Sequence, residues 1–172
     1  GSYFSFRDVA DVEPNPTNWA VIERMAHWQA ATRMWTAHPW TGAGIGNYAA
    51  VYPFYRLSRW EDPLGHAHNY YLNILGEAGL IGLAAYLVFW GTVAVVAVRA
   101  VRRQAGLPAA VALGVAGALV HLSVHNFFDN LYVQGIYLQV GIWIGLLVVP
   151  VRSTGFSPSL PFEDGVNAAL QT

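Results

Sequence analysis

The stretch GHAHNYYLNILGEAGLIGLAAYLVFW, Gly65–Trp90, passes within a few residues from two histidines and an asparagine into a long apolar run. Reading it as a membrane helix with titratable groups at its mouth decides the fold class. Composition agrees: 55% of the chain is hydrophobic and 11% charged, against a charged share of about 25% in soluble domains. So little charge does not cover a water-facing globule. Ala78–Val98 and Leu131–Val151 carry no charged side chain, and each reaches the roughly 20 residues needed to cross hydrocarbon. Leu107–Val124 is shorter and carries only His121, with Gly114 and Gly117 suited to close helix packing in lipid. These runs predict an all-α, polytopic membrane helix bundle with spans at about 70–99, 107–127 and 131–151.

Arginine placement orients the bundle. Arg99, Arg102 and Arg103 crowd the connection after the first span and Arg152 follows the third, while the link around Asn126–Asn130 has an Asp and no basic residue. The positive-inside rule puts the arginine ends in the cytoplasm, and hence residues 1–65 and the Asp129 link outside. Five arginines within the first 65 residues do not contradict this, because long loops translocate largely regardless of charge. Residues 152–172, rich in Ser, Pro and Gly, are expected to form a flexible cytoplasmic tail. The net charge of -1 and the absence of any basic run exclude nucleic acid as a natural partner, and with no Cys there is neither a disulfide framework nor a thiolate metal site.

Within the outer segment, residues 1–16 read as loop, and Asn18 is placed to cap an amphipathic helix at about 19–37. Val21, Met25, Trp28, Thr32 and Trp35 form its expected apolar stripe, and Pro39 and Gly42 end it. The glycines of TGAGIGNY follow a helix and precede a loop, which is the reverse of a dinucleotide fingerprint. They are expected to allow tight turns and a close backbone approach, with N–H groups able to hold an anion.

A helix starting near Ala67 would put His68 and Asn69 in its first turn, where the positive end of the dipole favours a neutral imidazole, usable as a base. Read blandly, His66 and Asn69 are caps and His68 is a hydrogen-bonded interface residue. The H-x-H spacing also admits zinc, with His125 and Asp129 as further ligands, although the pattern is loose. Glu77, His121, His125 and Asp129 lie near lipid and are costly there unless they share a polar cavity. Facing Arg24, such a cavity would combine a fixed cation with a neutral base and suit phosphates and hydroxyls.

The run ERMAHWQAATRMWTAHPWTGAGIGNY together with GHAHNYYLNILGEAGLIGL resembles the shared domain of the O-antigen ligase and O-antigen polymerase family, over about residues 18–90, and HNFFDN with the last span resembles the family's closing helices. The resemblance implies a GT-C-like, multi-pass glycosyltransferase of the bacterial cytoplasmic (inner) membrane, with its active site facing the periplasm. Its substrates would be an undecaprenyl pyrophosphate-linked glycan and an acceptor glycan, glycolipid or protein, as in lipopolysaccharide and other polysaccharide biosynthesis. It also implies metal-independent, inverting transfer without a cofactor, and further spanning helices that would make this chain the C-terminal part of a longer protein. The family's loop arginine matches Arg24 by its distance to Trp28, and its histidine directly before Asn matches His68. His68 would then be the catalytic base and Arg24 the pyrophosphate clamp, with His66, Asn69, Glu77 and Asp129 as further substrate contacts. Arg33, Arg56 and Arg59 are secondary choices for anion contacts. Two other classes fit parts of the pattern: a transporter of a small anion or proton-coupled solute, with His66, His68, Glu77 and Asp129 along the path, and a metal-binding membrane subunit.

Overall fold

Long apolar runs must satisfy their backbone polar groups internally if they are to lie in lipid, and in this chain they do so as helices. The computed structural model describes residues 9–132 and 135–148. Among these there are five helices and no strand: α1 Trp19–Ala37, α2 Tyr48–Tyr55, α3 Tyr70–Arg103, α4 Gly106–His125 and α5 Ile136–Val148. α3 and α4 are long and apolar enough to cross a membrane. Leu87, Val88 and Phe89 on α3 and Leu113 and Val120 on α4 remain exposed, so these are not the covered core helices of a soluble globule. The 13 described residues of α5 fall short of a span, and residues 133–134 and 149–151 of the third predicted span lie outside the described residues, as do residues 1–8 and the tail at 152–172.

One core joins Val93 and Ala97 of α3 to Val115, Leu119 and Leu122 of α4 and Val140 of α5. A second, around Ala30, Ala31, Met34, Tyr48, Tyr52 and Ala67, binds α1 and α2 to the start of α3. The face that α1 buries is not the expected stripe: Ile22, Ala26, His27, Ala30, Ala31 and Met34 are buried, whereas Val21 is 41% exposed. Small residues explain this correction. Alanines on α1 let its backbone approach Gly76 of α3, where an added Cβ would sit 3.4 Å from the Ala31 carbonyl oxygen, and the bulkier side chains are displaced to the edges of the contact. Asn18 does occupy the N-cap position, but its side chain makes no cap bond, because Oδ1 accepts from the Asn15 N–H at 2.6 Å.

α3 is two helices end to end. Gly79 breaks it with φ +63 and ψ −161, a conformation essentially open only to glycine. The glycine-rich loop after α1 fills the break. Ala43 N–H donates to the Gly76 carbonyl (2.8 Å) and Gly44 N–H to that of Glu77 (2.9 Å), while Leu80 N–H donates to Pro39 (2.9 Å) and Ile81 N–H to Trp40 (3.2 Å). The loop thus satisfies both sets of backbone groups that a helix break orphans. Such contact needs bare backbone on each side: a Cβ on Gly42 would collide with Glu77, and one on Gly79 with Trp40. The close backbone approach read in TGAGIGNY is realised here, and the N–H groups of Ala43 and Gly44 are spent on the joint.

Candidate active site

The site forms where the carboxyl end of α4 meets the amino end of α3. Asn69 is the N-cap of α3, its Oδ1 accepting from Leu72 N–H at 3.0 Å, and its Nδ2 reaches across to the Phe127 carbonyl at 2.9 Å. Tyr70 N–H donates to the carbonyl of the fully buried Asn126 at 2.8 Å. Free N–H groups at one helix start and free carbonyls just past another's end satisfy each other. Through this contact the turn after α4 delivers Asp129 to His68.

His68 lies before the N-cap, not within the first helical turn as the sequence suggested, and its backbone is left-handed at φ +50. Three bonds hold the turn there. Trp28 Nε1 on α1 donates to the His68 carbonyl (3.1 Å), His68 N–H donates to His66 Nδ1 (3.1 Å), and the N–H of buried Ala67 donates to Asn73 Oδ1 (3.0 Å). His68 Nδ1 stands 3.2 Å from Asp129 Oδ1, with the two side chains 16% and 35% exposed. An ionised carboxylate only accepts, so Nδ1 carries a hydrogen, and in the neutral ring the lone pair is then on Nε2. Nε2 is buried and has no hydrogen-bond partner among the described residues. His66 has the opposite tautomer: its Nδ1 accepts from a backbone N–H, which leaves the hydrogen on Nε2.

Charge and burial set the protonation of the neighbours. Burial, followed by repulsion from His68 whenever both rings are protonated, lowers the pKa of His66, with Asp129 opposing. Burial also tends to raise that of Asp129, but the Asn130 N–H bond at 2.8 Å and His68 outweigh it and hold the carboxyl below its usual range. Behind His68 stands His27, fully buried, stacked on Tyr52 with ring centroids 4.8 Å apart and edge-on to His68 at 5.5 Å. Burial, then His68 and His66, lowers its pKa to about 4. Its Nδ1 lies 3.1 Å from the Tyr48 hydroxyl.

The residues singled out in the sequence therefore divide. His66, His68 and Asp129 come together, with one ligand-type atom from each within 4.8 Å of the others, and Asn69 braces them from below. Glu77 stands elsewhere: Oε1 accepts from Tyr48 N–H (2.8 Å), at the start of α2, and Oε2 from Asn73 Nδ2 (3.2 Å). Arg24 lies on α1 one turn before Trp28 and bonds the Ala20 carbonyl of its own helix at 3.0 Å. Arg56 pairs with Glu61 (3.3 Å), Arg59 with Glu13 (2.8 Å), and Arg33 Nη1 bonds the Tyr55 carbonyl (3.4 Å). His125 is absent from the cluster and lies beside His121, rings 5.8 Å apart. Sequence reasoning missed His27, Asn73, Asn126 and the hydrogen-bonding role of Trp28. Asn126 alone carried a usable signal, as a capping-type residue directly after an apolar helix.

The arrangement offers a buried imidazole lone pair backed by a carboxylate, at the end of the bundle opposite Arg102 and Arg103. Neither a curated protein nor a solved structure matches the chain. The family model described as O-Antigen ligase matches residues 3–87, a segment that includes α1, α2, the Gly79 break and His68 and stops short of Asp129. Through residues 3–87 the chain belongs to the O-antigen ligase family.

Proposed function

We propose that this chain transfers a glycan from an undecaprenyl pyrophosphate-linked donor to an acceptor hydroxyl on the outer face of the bacterial cytoplasmic membrane, as part of a GT-C-like ligase or polymerase. The observation that carries the reading is the His68–Asp129 pair, in which His68, inside the family-matched segment, keeps a buried Nε2 without a partner among the described residues. An acceptor hydroxyl bonded to Nε2 gives up its proton there as its oxygen attacks the anomeric carbon. The bond from that carbon to the pyrophosphate oxygen breaks on the opposite face, so the configuration inverts. Asp129 stabilises the imidazolium that forms, and the proton then passes to solvent. Arg24, on the turn of α1 next to Trp28, is the cation for the departing pyrophosphate. That group leaves as a stabilised anion, so the step needs no metal to assist departure.

In the same reading His66 offers an Nε2–H donor to substrate, and Asn69 fixes the turn that carries both histidines. Glu77, with both oxygens on protein donors, supports the site through Asn73 and α2. The test is glycan transfer by the complete protein in liposomes with a lipid-linked donor, with and without chelator. His68→Ala should lower turnover about 100- to 10,000-fold, Arg24→Ala should collapse transfer, and chelator should leave wild type active. Wild-type activity in His68→Ala would remove the base from the mechanism.

A further inference from the structure

His66, His68 and Asp129 also present three ligand-type atoms to one another, a capacity that the transfer reaction does not use. The turn at 64–68 is wound through left-handed residues at Leu64, Gly65 and His68, and the side chain of Ala67 is fully buried between the two histidines. That anchor, held also by Asn73, leaves both imidazoles at the mouth of the bundle with ring centroids 4.5 Å apart. One donor atom from each of the three residues lies within 4.8 Å of the other two. In a tetrahedral zinc site with bonds of about 2.0–2.1 Å, neighbouring ligand atoms are about 3.3–3.5 Å apart. The His68 Nδ1–Asp129 Oδ1 separation of 3.2 Å already matches one such edge.

We propose that this triad binds Zn2+ from the outer side and that the bound ion switches glycan transfer off. The inhibitory part rests on the transferase reading, and the binding part does not. An ion seated between His68 Nδ1 and Asp129 Oδ1 takes the place of the proton they share. The hydrogen that leaves Nδ1 is replaced by one on Nε2, so the imidazole stays neutral while the lone pair that would serve as base is lost. His66 contributes Nδ1, the nitrogen whose lone pair is already free of hydrogen, and exchanges its bond from His68 N–H for the metal. Three protein ligands leave a fourth position for water. No electron transfer and no net release of protons accompanies the change.

The experiment titrates the complete purified protein in nanodiscs with Zn2+ by calorimetry, and with Co2+ as a spectroscopic substitute. Expected are one site per chain and the intense visible absorption of four-coordinate cobalt. His66→Ala and Asp129→Asn should each weaken binding about 100-fold or more, since even outer partners of metal ligands cost 10–100-fold. Arg24→Ala, which carries no ligand, should bind as wild type does, even though it is expected to abolish transfer. Thermal melting of each variant separates lost ligands from lost folding, and His66→Gln provides a second, size-conserving variant. Zinc binding unchanged in His66→Ala and Asp129→Asn, binding lost instead in His121→Ala, or an octahedral cobalt spectrum would overturn the site. In the transfer assay, saturating Zn2+ should stop turnover and chelator restore it. Full activity with the site demonstrably occupied would overturn the switch while leaving the transferase reading intact.

Discussion

Asp129 gives the His68 ring a direction as well as a charge partner. Replacing it with Asn tests this, because an amide can present its N–H to Nδ1 and move the ring's hydrogen to Nε2, where the base should be. Asp129→Asn is expected to lower glycan transfer about 100- to 10,000-fold with the fold retained, measured as turnover beside a thermal melt. His27 makes a separate prediction about stability. Its folded pKa of about 4 lies below the unfolded value of 6.5, so between these pH values the unfolded chain binds more protons and stability falls as pH drops. The groups that act on it are His66 and His68 on the neighbouring turn, Asp62, whose charge opposes the shift, and Tyr48 and Tyr52 on α2. The full effect approaches about 3 kcal/mol near pH 4. Comparing denaturation midpoints of wild type and His27→Phe across pH 7 to 4 isolates this residue. An identical slope in both proteins would show that His27 does not charge on unfolding.

At the level of elements, the joint between the glycine-rich loop and α3 depends on two bare backbones. Gly79→Ala places a Cβ against Trp40 in a conformation that only glycine adopts readily, and should destabilise by more than about 2 kcal/mol, a fall of several degrees in Tm. Gly91→Ala, farther along α3 with nothing within 4 Å of its Cβ, should be neutral or stabilising. Equal melting temperatures for the two variants would refute the strained joint. Much of this level was legible: apolar length announced α3 and α4, and a helically spaced run between Asn18 and Pro39 announced α1. The break was not. Gly79 in a span reads like any small packing residue, and only the tertiary approach of Trp40 gives it a different role. The stripe on α1 was misread for a related reason, since periodicity marks large apolar residues while the buried face is built of alanines that a hydrophobic pattern undervalues. His68 was legible from the residue pattern, but its pairing with Asp129, 61 residues on, depends on α4 ending against the start of α3.

For the whole molecule, the break divides α3 into a short piece and a piece of span length. Leu80–Arg103 is 24 residues of continuous helix, about 36 Å at 1.5 Å per residue, enough to cross roughly 30 Å of hydrocarbon and leave the last arginines in the opposite headgroups. In the proposed reading Tyr70–Ala78, α1 and α2 would lie above the membrane with the histidine cluster, at the height where lipid phosphates meet water-soluble glycan. By the positive-inside rule, Arg99, Arg102 and Arg103 at the far end would put that end in the cytoplasm. Residues 1–172 contain no cysteine, so a single thiol introduced among them is unique within this segment. Ser58→Cys, on the exposed loop after α2, should react with a membrane-impermeant maleimide in intact cells whose outer membrane has been opened. Ala105→Cys, in the exposed turn between α3 and α4, should react only after the inner membrane is lysed. The reverse pattern would place His68 and Asp129 in the cytoplasm, where an outward-facing lipid-linked glycan could not reach them. The proposed chemistry would then fail for reasons of geometry alone, whatever the state of the imidazole.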